Sequence, residues 1–299
     1  MSTKQKLALW VPVGILVIAG IFYCVGSCKT NPVLKQFPQI RNLENGQVIS
    51  ARKATRTDGI YGEWHVQLFD SQQSIAFVRV NPAAYELNIV CGEGEAADST
   101  SALCMRSGAV AGLNGSYFNV QELTHTTYIK DDGAEVGETL SSEVFRTNGV
   151  FLSGADGYEM DAADTLSVLP EGESRWEAMA SGPILIDEGE PIVYEEGIKG
   201  WKKFYNKRHP RSMVGKDAEG YLWLVAVDGR FDEGIGMSIA EMTELSKMLG
   251  LTDALNLDGG GSTTLWTLSG GVLNHPYDNK RYDHEGQRIV PNVLAVIKK

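Results

Sequence analysis

Only one stretch of this 299-residue chain, SIAEMTELSKMLGL at 238–251, repeats its apolar residues at a helical interval. Ile239, Met242, Leu245, Met248 and Leu249 fall on one face. Ser238 with Glu241 makes a capping box, and Gly250 stands where a helix C-cap wants a left-handed residue. The earlier segments EWHVQLFD, SIAFVRVNP and ELNIVCG read instead as strands, by alternation and β-branched content, in hairpin-like succession. A doubly wound parallel sheet needs a helical crossover after nearly every strand, and that alternation is absent. The expectation is an α+β fold, a single domain of mixed, largely antiparallel sheets with a few helices.

The N-terminus reads as an address. Lys4 and Lys6 precede the uncharged apolar run LALWVPVGILVIAGIFYCV at 7–25, long enough for a signal h-region or for a spanning helix of about 20 residues. Val25-Gly26-Ser27-Cys28 resembles a lipobox, in which Cys28 becomes the lipid attachment point. Residues 1–28 are therefore expected to be a lipoprotein signal peptide and anchor, with an uncleaved transmembrane anchor as the alternative. Residues 29–47, polar and proline-bearing, are expected to be a linker, and 48–299 the folded domain. Either anchor places the domain in the cell envelope, outside the cytoplasm. A disulfide between Cys91 and Cys104 is available there, and two small buried hydrophobes are the other reading. The formal net charge of −11 argues against a nucleic-acid partner. An anionic ligand would need local arginines.

The stretch NLDGGGSTTLW at 256–266 ends a strand, DALNLD, on Asp258 and follows it with three glycines. Alternation puts Leu255 and Leu257 on one face and Asn256 and Asp258 on the other. No lysine precedes Ser262, as a P-loop requires, and Thr264 stands at the third anchor of a dinucleotide fingerprint, where Gly or Ala belongs. The same kind of ending recurs. YLWLVAVDGR at 221–230 closes on Asp228, Gly229 and Arg230, and AVAGLNGSYFN ends a strand at Asn114 and Gly115. Glycine after a polar strand end permits positive φ and close approach of a ligand to backbone N–H groups. Each alone is an ordinary turn signal; three of them with a triple glycine indicate a site.

Further motifs stand in order around these: SGPILI at 181–186, HPRSMVG at 209–215, VDGR at 227–230, LNLDGGGSTTLW at 255–266 and RIVPNVLAV at 288–296. With LNGSYFN at 113–119 as an opening motif, they resemble the ordered motifs of the phosphodiester glycosidase family over residues 108–299, with Ser116 where a glycine would be common. The resemblance implies hydrolysis of the glycosidic C1–O bond of a sugar-1-phosphodiester, releasing sugar and a phosphomonoester; no cofactor is expected, and no metal, since no EF-hand or zinc spacing appears. The implied partner is a sugar-phosphate-containing glycan or glycoconjugate; the membrane is met through the lipid anchor, and nucleic acid not at all. Such chemistry needs a group that favours an oxocarbenium-like transition state, a group that activates water, and cations on the phosphate. Asp228 and Asp258 are the catalytic candidates, and Arg211 and Arg230 could clamp phosphate in a bidentate way. A departing phosphate monoester has a second pKa of about 6, so a strong general acid is dispensable.

The remaining substrate-binding candidates are Asn114, His209, Ser181, Gly182, Asn256, Gly259, Gly260, Gly261, Ser262 and Thr263. Several have bland counterparts: Asn114 as a turn residue, His209 as a structural histidine, and Ser262 and Thr263 as hydroxyls that cap their own turn. HPYDNKRYDHE at 275–285 holds His275, Asp278, Asp283, His284 and Glu285 without metal-site spacing and reads as a solvated loop. Two other classes stay open. One is a non-catalytic carbohydrate-binding surface protein in polysaccharide assembly; the other is a nucleotide-dependent phosphoryl transferase, disfavoured by the missing lysine.

Overall fold

The strand Leu222–Val227, LWLVAV, is buried along its whole length, as a strand covered on both faces must be. In the computed structural model, which describes residues 39–50, 58–154, 157–163, 177–194 and 201–299, it lies at the centre of a nine-stranded sheet. From one edge the order is Glu190–Pro191, Ile184–Asp187, Leu251–Asn256, Arg211–Asp217, Leu222–Val227, Ser71–Val80, Gly59–Leu68, Ile40–Asn42 and Val48–Ile49. One face of this sheet, through Val78, Val214, Leu224 and Leu255, packs on Leu113, Phe151, Met179 and Leu294 of two five-stranded sheets. The opposite face, through Phe77, Met213, Trp223 and Val225, is covered by the helix Ile239–Leu249. The helix presents Ile239, Met242, Leu245 and Leu249, the stripe expected from its sequence period. Its capping box forms, with the Glu241 carboxylate accepting from the Ser238 N–H at 2.8 Å, and Gly250 closes it at φ 73°.

Every strand pairing among the described residues is antiparallel, so the sheets are not mixed. α-Helix is confined there to Thr100–Arg106, Trp201–Phe204 and Ile239–Leu249, which puts the single domain nearer to mainly β than to α+β.

Two expectations change. The fold begins before residue 48: Ile40 and Leu43 are fully buried, and Ile40–Asn42 pairs with Gly59–Leu68. A three-residue strand in a polar segment shows no alternation by which to find it. The apolar run and Cys28 lie outside the described residues. Cys91 and Cys104 are free thiols. Cys91 ends the strand Tyr85–Cys91 and faces Asp131, whereas Cys104 points from the helix Thr100–Arg106 onto Gly112. Burial pushes the Cys104 thiol up to about 12.

Glu177 gives the domain a pH-dependent weakness. Its carboxylate accepts from the Ile89 N–H at 2.7 Å, yet burial, with repulsion from Asp131, Asp132 and Glu86, raises its pKa from 4.5 to about 7. The folded protein therefore holds more protons than the unfolded chain between those two values, and stability falls as pH rises through that window. Glu177→Gln keeps an acceptor and removes the ionisation. Thermal unfolding from pH 4 to 8 should show the variant losing part of this fall and exceeding the parent at pH 8 by about 1 kcal/mol, a figure already discounted for solvent access.

Candidate active site

Asp258 stands two residues beyond the strand Leu251–Asn256, and its backbone is held from both sides. Its N–H donates to the Gly115 carbonyl at 3.0 Å, and its carbonyl accepts from Asn114 Nδ2 at 2.8 Å. Asn114 Oδ1 in turn accepts from the Ser212 hydroxyl at 2.7 Å and the Thr264 N–H at 3.1 Å. Asn114 is 1% exposed. Its amide is committed to the protein, so it positions Asp258 and is not available to a sugar. Glycines permit this approach. A Cβ on Gly115 would lie 2.1 Å from Asn292 Oδ1, which accepts from the Ser116 N–H at 2.6 Å. One on Gly259 would lie 2.6 Å from the Pro210 carbonyl. Gly260, at φ 65°, donates its N–H to that same carbonyl at 2.9 Å, which removes one donor from the expected anion nest.

Asp258 as a residue is half-buried. Burial raises its pKa above the usual carboxylate range, while the Ser262 hydroxyl, Arg146, the Gly259 N–H and Arg288 oppose the rise. These neighbours favour the anion that desolvation disfavours.

Four guanidinium groups lie around the turn, and their partners tell them apart. Arg211, expected on the phosphate, is 2% exposed; its Nε donates to the Met237 carbonyl at 3.0 Å and its Nη2 to the Phe204 and Lys207 carbonyls. Burial lowers its pKa to about 10. It braces backbone and is not a free phosphate clamp. Arg146 lies 3.8 Å over the Tyr117 ring and pairs with Glu143 at 2.6 Å. Arg288 grips Asp278 through Nε at 2.9 Å and Nη2 at 2.6 Å. A Cβ on Gly261 would come 2.3 Å from Arg288 Nη2, so this glycine makes room for the ion pair. Arg230 differs: it is exposed at φ 69°, lies 4.9 Å over Tyr277 and against Gly260, and has no carboxylate partner among the described residues. Among the described residues its guanidinium makes a polar contact at 3.4 Å with Nδ1 of His209. His209 Nε2 meets the Lys203 carbonyl at 3.2 Å, which assigns the proton to Nε2 and leaves Nδ1 to accept from Arg230. Burial and the nearby Arg211, Arg230 and Lys207 lower the His209 pKa, so it steadies Arg230 as a neutral ring.

Asp228 does not offer its carboxylate to a substrate. It is 1% exposed; Oδ2 accepts from Ser74 Oγ at 2.6 Å and faces His275 Nδ1 at 2.8 Å. Oδ1 accepts from Asn274 Nδ2 at 3.1 Å and the His275 N–H at 2.8 Å. Four partners fill its lone pairs. Burial works against a charged His275, but Asp228 and Glu63 outweigh it and raise the imidazole pKa. Glu63, Asp228 and His275 bring ligand-type atoms within 4.8 Å of one another. The Asp228–His275 contact at 2.8 Å and the raised imidazole pKa make this cluster a place to hold a proton. Asn274 Nδ2 also donates to the Thr263 carbonyl at 3.0 Å, which ties this cluster to the glycine turn.

The other candidates support the site from within. Asn256 Nδ2 donates to the Gly182 carbonyl at 2.7 Å and the Leu257 carbonyl at 2.8 Å, and the Tyr117 hydroxyl donates to the Gly182 carbonyl at 2.6 Å. A Cβ on Gly182 would lie 2.6 Å from the Arg146 carbonyl, so Gly182 seats the segment that carries Arg146. Ser181, Asn256, Ser262 and Thr263 are fully buried; the Ser262 hydroxyl serves the Asp258 carboxylate, while Ser181 Oγ, Asn256 Oδ1 and Thr263 Oγ1 have no hydrogen-bond partner among the described residues. Sequence reasoning missed Arg146, Arg288 and the Asp228–His275–Glu63 cluster. Arg288 opens a motif already singled out; nothing in the sequence marks Arg146 or Glu63.

The sequence profile of the family described as phosphodiester glycosidase matches residues 107–297. The N-acetylglucosamine-1-phosphodiester alpha-N-acetylglucosaminidase of Mus musculus is 36% identical over 101 residues, 33% of this chain and 19% of that protein. Its Bos taurus counterpart is 29% identical over 181 residues, 58% of this chain and 34% of that protein. The chain thus spans well under half the length of these relatives. The solved zebrafish catalytic domain of that name, auto-inhibited by its pro-peptide, superposes with a TM-score of 0.65 at 20% identity, covering 81% of this chain and 83% of its own. A hypothetical protein from Synechocystis gives 0.57 at 16% identity, covering 81% and 62%. These two likenesses establish the fold.

The two arginines of the expected clamp should separate in a stability measurement. Arg211→Ala strips donors from three backbone carbonyls and should lower unfolding free energy by about 2–4 kcal/mol. Arg230→Ala should stay within about 0.5 kcal/mol of the parent. Chemical denaturation of both variants checks this.

Proposed function

The chain belongs to the phosphodiester glycosidase family, and from that premise we propose that it hydrolyses the glycosidic C1–O bond of a sugar-1-phosphodiester, releasing sugar and a phosphomonoester. The observation that carries this reading is one carboxylate among guanidinium groups. Asp258, a half-buried residue fixed through its backbone by Asn114, lies beside Arg146 and Arg288, with Arg230 across Gly260. In a chain of net charge −11, that local positive field suits an anionic substrate.

Asp258 is suited to activate water or to stabilise positive charge developing at the anomeric carbon. Its raised pKa makes it a stronger base than a surface aspartate, and Arg146 and Arg288 keep it ionised. Arg230, with no carboxylate to neutralise it, is the hand for the phosphate. The substrate class is a sugar-phosphate-containing glycan or glycoconjugate, and the relatives' printed name supplies the first sugar to try, N-acetylglucosamine. Lipid anchorage outside the cytoplasm is part of the proposal and rests on the sequence around Cys28 alone.

Incubation of the purified protein with an alkyl ester of N-acetylglucosamine 1-phosphate, followed by phosphorus NMR and a reducing-sugar assay, should show phosphomonoester and free sugar. Asp258→Asn should lower kcat by on the order of 10³-fold. Arg230→Ala should act mainly on KM, since it removes binding shared by ground and transition states. Saturable binding of the ester without turnover by the parent protein would replace this reading with a carbohydrate-binding surface protein.

A further inference from the structure

The segment 274–288 adjoins the glycine turn at two places. At one, Arg288 and Asp278 form their ion pair against Gly261. At the other, Asn274 bonds both Asp228 and the Thr263 carbonyl, and His275 follows it. Arg230 spans the space between: its guanidinium lies over Tyr277, two residues from His275, and against Gly260, two residues from Asp258. His275 thus stands beside the same turn as the proposed base and phosphate-binding groups.

Its ring is held as a proton donor would be. Nδ1 faces Asp228 Oδ2 at 2.8 Å and Glu63 Oε1 at 3.5 Å. One face stacks on Tyr282, with centroids 3.7 Å apart and planes inclined by 11°. His284, whose Nδ1 meets the Asn274 carbonyl at 2.8 Å, lies at 4.4 Å. Nε2 has no hydrogen-bond partner among the described residues, while the residue keeps 8% exposure. One nitrogen is fixed and the other is left for chemistry, the arrangement by which a buried carboxylate orients a catalytic imidazole.

We propose that His275 donates a proton from Nε2 to the departing phosphoryl oxygen, positioned for that step by Asp228 with Glu63 behind it; this rests on the glycosidase reading above. As C1–O breaks, its electron pair stays on the phosphoryl oxygen, which takes the proton. Water forms the new C1–O bond and gives its own proton to Asp258. Free sugar and a phosphomonoester result, Asp258 returns its proton to solvent, His275 recovers one, and no other reactant is needed. The charged groups facing the ring are Asp228, Glu63 and Asp283, with Tyr282, His284 and, at 6.4 Å between ring centroids, His65 as the other titratable neighbours. The carboxylates dominate, and the imidazole holds its proton above its ordinary pKa.

The test is the pH dependence of kcat on the N-acetylglucosamine phosphodiester for the parent, His275→Gln and Asp228→Asn, with unfolding midpoints to confirm folding. The parent should lose activity on an alkaline limb as His275 deprotonates. His275→Gln should lower kcat roughly 10²-fold and abolish that limb, the modest loss reflecting a leaving group that departs well on its own. Asp228→Asn should move the limb to lower pH, because the anion that holds the imidazolium is gone. A His275→Gln protein that is slower at every pH but keeps the alkaline limb would assign the residue a structural role and overturn the proposal, leaving the glycosidase reading intact. A folded parent inert on the diester would overturn both.

Discussion

The side-chain amide of Asn114 joins three chain segments at one point. It donates to the carbonyl of Asp258 and accepts from the Ser212 hydroxyl and the Thr264 N–H. Asn114 ends the strand Ala111–Asn114, Ser212 lies in Arg211–Asp217, and Asp258 and Thr264 bracket the glycine turn. Two sheets therefore meet at Asp258: the nine-stranded sheet through Ser212, and the five-stranded sheet through Asn114. The rest of the site depends on this junction, because the turn must pass within hydrogen-bond reach of Asn114 while Gly115 and Gly259 lie against Asn292 and Pro210. Side chains at those glycines would force the backbones apart. Three hydrogen bonds, two buried and one partly so, each worth about 1 kcal/mol net and more if one partner is left unpaired, are enough to fix the Asp258 backbone.

Around that fixed point the charges divide their work. A chain of net charge −11 gathers four arginines at one turn, and burial decides what each can do. The fully covered Arg211 serves backbone carbonyls. Arg146 and Arg288 carry acidic partners and act on Asp258 through space. Arg230 reaches solvent beside a neutral histidine and the Tyr277 ring, with no carboxylate partner among the described residues. A guanidinium already paired with a carboxylate must give up that pair to take a phosphate, so the unpaired one has the larger gain from binding.

Much of the fold was legible because its elements are long and strongly periodic. The helix Ile239–Leu249 carries a capping box, a stripe and a glycine cap that all agree, and the early strands alternate. The strand Ile40–Asn42 was not, since its burial comes from its neighbours and not from any pattern of its own. Asp258 was visible from its place before three glycines. What the sequence could not give was direction. Spacing made Cys91 and Cys104 candidate partners, yet one faces Asp131 and the other Gly112. Asp228 and Asn114 were rightly placed at strand ends, but whether a polar tip turns toward solvent or into a hydrogen-bond network depends on residues far away in sequence, as with Ser74, 154 positions before Asp228. Glu63 and His275 meet only because the strand Gly59–Leu68 and the 274–288 segment are brought together by the fold.

The central claim is that Asp258, backed by Asn114 and faced by Arg230, is where a sugar phosphodiester reacts. A crystal structure of the Asp258→Asn protein soaked with an alkyl ester of N-acetylglucosamine 1-phosphate tests this most directly. The account predicts phosphate oxygens within hydrogen-bond distance of the Arg230 guanidinium and the anomeric carbon next to residue 258. Ligand density seated in the separate cleft lined by Glu86, Tyr158, Glu177, Lys216 and Lys299, with the glycine turn empty, would contradict it.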